Sequence, residues 1–179
     1  TGVTKFGKVS VFSDLNNLKD ISLDNRYYNL CGIDEGELHG VIEPYVQCLA
    51  DSQNITLDKA YSELKRNYDG YHFSKNMVGM YNPFSLLNAF DSLEIGSYWF
   101  ETGTPSYLVE LLKRHDFKLD ELKGNKVTAN VLSAIDASSS NPISVIFQSG
   151  YLTISGYNER YKLYSLDFPN EEVREGFML

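Results

Sequence analysis

Gly150–Leu166 reads GYLTISGYNERYKLYSL, two runs rich in β-branched and aromatic residues around a Gly/Asn turn. That pattern predicts a β-hairpin. Its flanks decide the architecture. Downstream, Pro169 and Asn170 precede EEVREGF, a helix start that places its acids in the first turn, where the helix dipole favours them. Upstream, Asn141-Pro142 opens another helix. Helix, hairpin, helix reads as a winged-helix-like end. With a helical middle before it, the expected class is mostly α with a small β component.

The helical middle announces itself by its caps. In GIDEGELHGVIEPYVQCLA, Asp34 and Glu37 make a capping-box start, and Leu38, Val41, Ile42, Tyr45, Val46 and Leu49 form one apolar stripe, with a kink expected at Pro44. A second helix starts from Thr56, carries Leu57, Ala60, Tyr61, Leu64 and Tyr68 on one side, and stops at Gly70. Asn82-Pro83, Thr104-Pro105 and Asn141-Pro142 share one device, a capping residue followed by proline at the first helical position. Leu108, Leu111 and Leu112 make the middle one amphipathic. RYYNL, residues 26–30, is expected as an edge or end strand, and ASSSN, residues 137–141, as a polar loop.

A chain of 179 residues holds one ordinary domain or two small ones, and 42% hydrophobic residues supply a core. Thirteen tyrosines, ten phenylalanines and one tryptophan suit small cores and subdomain interfaces. Twenty-four acids against sixteen bases give −8, which argues against a broad nucleic-acid surface. Two cysteines, Cys31 and Cys48, are too few for a disulfide scaffold, and there is no signal peptide or apolar run long enough to span a bilayer, so the expected setting is the reduced cytoplasm without membrane contact. Cys31, His39 and Cys48 lack the paired short spacings of a zinc module; they are expected as two buried small hydrophobes and a surface imidazole. The chain begins with Thr1 and ends at Leu179 directly after the run EEVREGF, and reads as a piece of something longer.

The first ten residues, TGVTKFGKVS, nearly spell a phosphate-binding loop: Gly2, Gly7 and Lys8 are in place, but Val9 stands where a Mg²⁺-binding hydroxyl is required. Such a loop also follows a buried strand, and only Thr1 precedes Gly2. A glycine-containing turn after a strand is the expectation instead.

The strings TGVTKFGKVSVFSDLNNLKDISLD, YDGYHF, YNPFSLLNAF, YWFETGTPSYLVELL, FQSGYLTI and FPNEEVREGF, in this order, resemble the AAA-ATPase-like family of bacterial proteins. The resemblance runs the length of the chain. It implies a Walker-type ATPase-like core before this region and a nuclease-like domain of the PD-(D/E)XK superfamily after it, the two partners of the region within one polypeptide. On that reading residues 1–30 are the residual C-terminal piece of the core, 31–115 a helical lid-like subdomain and 116–179 a winged-helix-like subdomain. ATP and Mg are implied for the longer protein and no cofactor for the region itself. The region is expected to relay nucleotide state without catalysing anything. TGVTKF then looks like the end of a core strand presenting a polar sensor residue toward the γ-phosphate. Thr1 and Thr4 are the candidate hydroxyls, Asn16 or Asn17 the alternatives, and Lys5 and Lys8 add attraction to phosphate. Aromatics that face the core would drive self-association of the region alone.

Other candidates remain open. Asp69 and His72 in NYDGYHFS invite an acid/base reading; the plain alternative is a helix end in which Gly70 turns left-handed, Tyr68 and Tyr71 pack, and Asp69 accepts backbone N–H groups. Glu101 flanks a helix start, and Arg114, Arg160 and Arg174 are candidates for phosphate contact in an assembled protein. A metal-dependent nuclease needs acid-x-lysine on a strand; Glu63-Leu64-Lys65 and Glu121-Leu122-Lys123 match it but lie in helix-like runs. A DNA-binding wing would rely on Arg160 and Lys162, which Glu159 partly offsets, so only weak, salt-sensitive nucleic-acid association is expected.

Overall fold

The computed structural model of the protein describes residues 19–101, 124–133 and 142–178. They fall into two compact units, one of residues 28–72, 78–101 and 168–178, the other of residues 19–27, 73–77, 124–133 and 142–167. The fold is mostly α with a small antiparallel β part.

The first unit is helical: α1 (Glu35–Leu38), α2 (Glu43–Gln53), α3 (Leu57–Tyr68), α4 (Pro83–Ser92), α5 (Tyr98–Glu101) and, at its end, the helix Glu171–Met178. The capping box forms as expected, Glu37 N donating to Asp34 Oδ1 at 2.8 Å and Asp34 N to Glu37 Oε2 at 3.0 Å. The expected kinked helix through Pro44 is instead two helices separated by a turn. Pro44 has no N–H for the carbonyl of Gly40 and its ring crowds that carbonyl, so it falls in the first turn of a fresh helix, where neither defect matters. The apolar stripe splits as a result. Leu38, Val46 and Leu49 are fully buried, whereas Val41 is 79% and Tyr45 60% exposed.

α3 starts at Thr56, whose Oγ1 accepts from Lys59 N at 3.2 Å, and α4 at Asn82, whose Oδ1 accepts from Phe84 N at 3.0 Å. Leu38, Val46, Leu49, Leu64, Tyr68 and Leu86 centre the core between them. Two isolated antiparallel bridges, Ile33 with Tyr81 and Tyr71 with Met80, tie the chain before α1 and after α3 to the segment that leads into α4. Burying about six large side chains on this scale contributes roughly 1.5–3 kcal/mol each before chain entropy is charged against it.

The second unit holds β1 (Lys126–Val127), α6 (Ala129–Leu132), α7 (Ile143–Gln148), β2 (Thr153–Asn158) and β3 (Leu163–Asp167), and the helix Glu171–Met178 of the first unit is α8. The hairpin occurs where the sequence predicts it. Tyr157 faces Tyr164 across β2 and β3 with ring centroids 4.6 Å apart, and Ile154 pairs with Leu166, both fully buried. A bulge between Ile154 and Gly156 shifts the register. β1 adds to β3 to give the order β1-β3-β2. Asn158 Oδ1 accepts from Tyr161 N at 3.0 Å to close the turn, and Lys162 sits there at φ 54°.

Two further expectations are corrected. RYYNL is a series of turns, not a strand, because Asp24 takes the local donors: its carbonyl accepts from Tyr27 N at 3.0 Å and its Oδ1 from Arg26 N at 3.1 Å. Cys31 and Cys48 are both exposed rather than buried, since Cys48 lies between Val46 and Leu49 on the outer side of α2 and Cys31 in the turn before α1. α8 packs on α3 and α5 with Val173 fully buried.

Among the described residues no helix is long and apolar enough to cross a membrane.

Candidate functional site

The C-terminal end of α3 carries the unit's concentration of buried polar groups. Asp69 ends the helix in an extended conformation (φ −80°, ψ 179°), its N–H still bonded to Lys65 O at 3.2 Å. Gly70 follows at φ 99°. A Cβ there would lie 2.0 Å from the carbonyl oxygen of Pro169, so glycine is required twice over, by conformation and by the chain that crosses it. Tyr68 is fully buried and Tyr71 nearly so. The Tyr68 hydroxyl donates to Gly96 O at 2.9 Å and accepts from Gly96 N at 3.0 Å, and burial pushes its pKa well above the usual phenol range.

That crossing chain is fastened by side chains. Asn170 Nδ2 donates to Asp69 O at 3.0 Å while its Oδ1 accepts from Val173 N at 3.1 Å, so one residue caps α8 and secures the end of α3. Two residues on, Glu172 is 1% exposed. Its Oε2 accepts from Ser85 Oγ of α4 at 2.7 Å and its Oε1 from Trp99 N at 2.9 Å, in the first turn of α5. Burial raises the Glu172 pKa, and the bonds from Trp99, Ser85 and Tyr98 oppose the rise without cancelling it.

Asp69 itself is half-buried, with Oδ1 buried and without a hydrogen-bond partner among the described residues. Burial raises its pKa, the Gly70 N–H, Lys65 and His72 pull it back, and Glu35 adds to the rise. Gly79 makes the room: a Cβ there would approach Asp69 Oδ1 to 2.8 Å. Beside it Glu35 Oε2 accepts from Tyr81 Oη at 2.8 Å and from Lys65 Nζ at 3.2 Å, and Oε1 lies 3.4 Å from His39 Nε2. Burial pushes the Glu35 pKa up, but those three partners outweigh it and the net shift is down. Tyr81 moves strongly up, from burial first and the Glu35 bond second. His39 in turn stacks on Tyr61 at 3.9 Å between centroids, and Tyr61 Oη donates to Glu43 Oε2 at 3.2 Å.

The arrangement is a polar seam of three carboxyls around the same helix end, Glu35 with its pKa drawn down by its partners and Asp69 and Glu172 with theirs pushed up by burial. Of the residues singled out by sequence, Asp69 and His72 come together here. Arg174 does not join them; it pairs with Glu171 at 3.1 Å along its own helix. Thr1, Thr4, Lys5, Lys8, Asn16 and Asn17 lie outside the described residues, as do Arg114 and Glu121-Leu122-Lys123. Glu63-Leu64-Lys65 is within α3, where Glu63 takes Lys59 and Arg66 and Lys65 reaches Glu35. At the hairpin, Glu159 holds both Lys75, at 3.1 Å, and Lys162, at 3.4 Å. Among the described residues no group of three or more His, Cys, Asp or Glu is placed to hold a metal ion. Sequence reasoning missed Glu35, Tyr81, Ser85 and Glu172; the one legible signal was the four-residue spacing of Lys65 and Asp69, which aligns them on α3.

A protein of Azotobacter chroococcum mcd 1, described as "Uncharacterized protein in vnfD 5'region", is 40% identical over 179 residues, 97% of this chain and 32% of that protein. The chain thus spans about a third of the length of the curated relative it matches. No family model matches the chain. No solved structure matches it either.

Proposed function

We propose that this chain is a regulatory, non-catalytic region of a longer AAA-ATPase-like protein. In this reading the helical unit is lid-like and the hairpin with its neighbouring helices winged-helix-like. Together they relay the nucleotide state of an ATPase-like core to a nuclease-like domain, with ATP and Mg bound by the core. The observation that carries the reading is the fastening of α8 by Asn170 and the buried Glu172 to the ends of α3, α4 and α5. Relay requires an element with two discrete packed arrangements, and a polar tie buried in a helical core gives such discreteness, because a half-made tie leaves charged and N–H groups without partners. The greater length of the Azotobacter relative agrees with a region that works as part of something larger.

The test has two arms. Purified residues 1–179 should show no magnesium-dependent ATP hydrolysis above background; turnover by this region alone overturns the assignment. In the longer protein, Glu172→Ala should leave ATP binding within about twofold and abolish the ATP dependence of nuclease activity. Unchanged dependence would mean that the tie is structural only.

A further inference from the structure

We infer that the outer face formed by α2 and α4 is a docking site for a basic amphipathic helix of a partner protein. Phe84 and Leu87, three residues apart on the solvent side of α4, are 45% and 58% exposed, and Val41 and Tyr45, four apart at the entry to α2, are exposed still more. Tyr45 and the α4 pair belong to one surface. Phe84, Leu87 and Phe90 succeed one another along the helix, the Tyr45 ring lies 5.9 Å from that of Phe90, and Gln53 Nε2 donates to Leu93 O at 3.1 Å where the helices end. Large apolar side chains gathered in this way mark interaction sites.

Charge selects the occupant. From Tyr28 to Asp58 and from Val78 to Glu101 the sequence contains no lysine or arginine. The exposed charges on α2, α4 and its C-terminal end are Glu43, Asp51, Asp91 and Glu94, and none has a basic partner among the described residues. Among the described residues Glu43 accepts from the Tyr61 hydroxyl and Asp51 from the Gln47 amide. An apolar ridge rimmed by one sign of charge is complementary to a helix whose apolar stripe is edged by Lys or Arg. A second copy of this chain fits poorly, since a symmetric contact would set acid against acid. Nucleic acid and anionic lipid are repelled for the same reason. This inference is independent of the nucleotide relay, because it uses neither Glu172 nor the residues of the first segment.

The probe is a fluorescently labelled amphipathic helical peptide of leucine and lysine, titrated with the protein and followed by anisotropy, beside a leucine/glutamate peptide of the same pattern. The lysine peptide should bind, and more weakly as salt rises. Leu87→Ser should weaken it about tenfold, the effect of removing one central apolar anchor. Asp91→Asn together with Glu94→Gln should reduce the salt dependence. Tyr45→Ser, 60% exposed at the entry to α2, supplies a second apolar variant if Leu87→Ser disturbs folding. Equal binding of the glutamate peptide, no binding of the lysine peptide, or concentration-dependent dimerisation that Leu87→Ser abolishes would each overturn the proposal.

Discussion

The helical unit and the hairpin unit solve the problem of charge in opposite ways. The helical unit puts two carboxyls, Asp69 and Glu172, among fully buried neighbours and satisfies one of them with three donors. The hairpin unit pairs Lys75, Glu159 and Lys162 in solvent and buries the hydroxyls of Ser144 and Thr153. The difference teaches where sensitivity must reside. Charged groups in a core respond steeply to substitution and pH, whereas solvated pairs barely respond.

The largest effect expected from a single methyl group contrasts Gly70 with Gly124. Both have positive φ, 99° and 74°, but a Cβ at Gly70 meets Pro169 O at 2.0 Å while one at Gly124 meets nothing within 4 Å among the described residues. Gly124→Ala should therefore cost only the left-handed penalty, about 1 kcal/mol. Gly70→Ala adds a backbone clash that cannot be relieved by a side-chain rotation, and should cost on the order of 4 kcal/mol or unfold the helical unit. Denaturant midpoints of the two variants decide it; equal losses would mean that the Pro169 crossing yields.

Next comes the buried hydroxyl–carboxyl contrast. Glu172→Ala strands the Ser85 hydroxyl and the Trp99 N–H, for a loss of about 2–4 kcal/mol. Glu172→Gln should cost far less, since the amide oxygen still accepts from Trp99 N and Ser85 can turn to accept from the new N–H. Ser144→Ala in the hairpin unit should be close to neutral, because among the described residues the buried Ser144 Oγ has no partner for its removal to strand. A Ser144→Ala loss as large as that of Glu172→Ala would erase the distinction between the units.

Much of this contrast was invisible in the sequence. The caps at Asp34, Thr56, Asn82 and Asn170 were legible because each depends on residues within three positions, and so was the hairpin, whose two runs are long enough to show composition. β1 was not, since two residues carry no period. Glu171 and Glu172 read alike as first-turn acids, and only the packing of α8 on α3 and α5 turns the second one inward. An apolar stripe that continues through Pro44 predicts a kinked single helix, yet Val41 and Tyr45 continue that stripe on the outside of the fold. Asp69 and His72 stood out through their motif; Glu35 did not, because its partners Tyr81 and Lys65 come from distant turns.

The pH dependence follows with opposite signs. Asp69 and Glu172 have folded pKa values above their ordinary 3.8 and 4.5, so folding favours their protonated forms. Their stabilising contribution is whole below those ordinary values and is lost as pH rises through the folded ones. Glu35, with a lowered folded pKa, works the other way within the same unit: its contribution is present above 4.5 and lost as pH falls through the folded value. Asp69→Asn combined with Glu172→Gln should therefore remove the decline in thermal midpoint on the alkaline side of pH 4.5 and leave the acid-side loss. Persistence of the alkaline decline in the double variant would assign it to other groups.

The smallest effect belongs to the hairpin. Glu159 has a lowered pKa from Lys75 first and Lys162 after it, so its contribution exists above 4.5 and disappears as pH falls through the folded value. Both its bridges are solvated, with Glu159 66% exposed and Lys75 and Lys162 at 42% and 71%. Water screens such pairs, and ordering three long side chains offsets what attraction remains. Glu159→Gln should thus leave the unfolding midpoint unchanged within error at physiological salt and at most lower it slightly at low salt. What can still be lost is geometry, because Lys75 also lies over the Tyr157 ring at 5.5 Å, and Tyr157 packs on Tyr164. Lys75→Ala removes both contacts at once, so a larger drop for Lys75→Ala than for Glu159→Gln would show that the cation–ring contact, and not the ion pair, holds residues 73–77 to the hairpin.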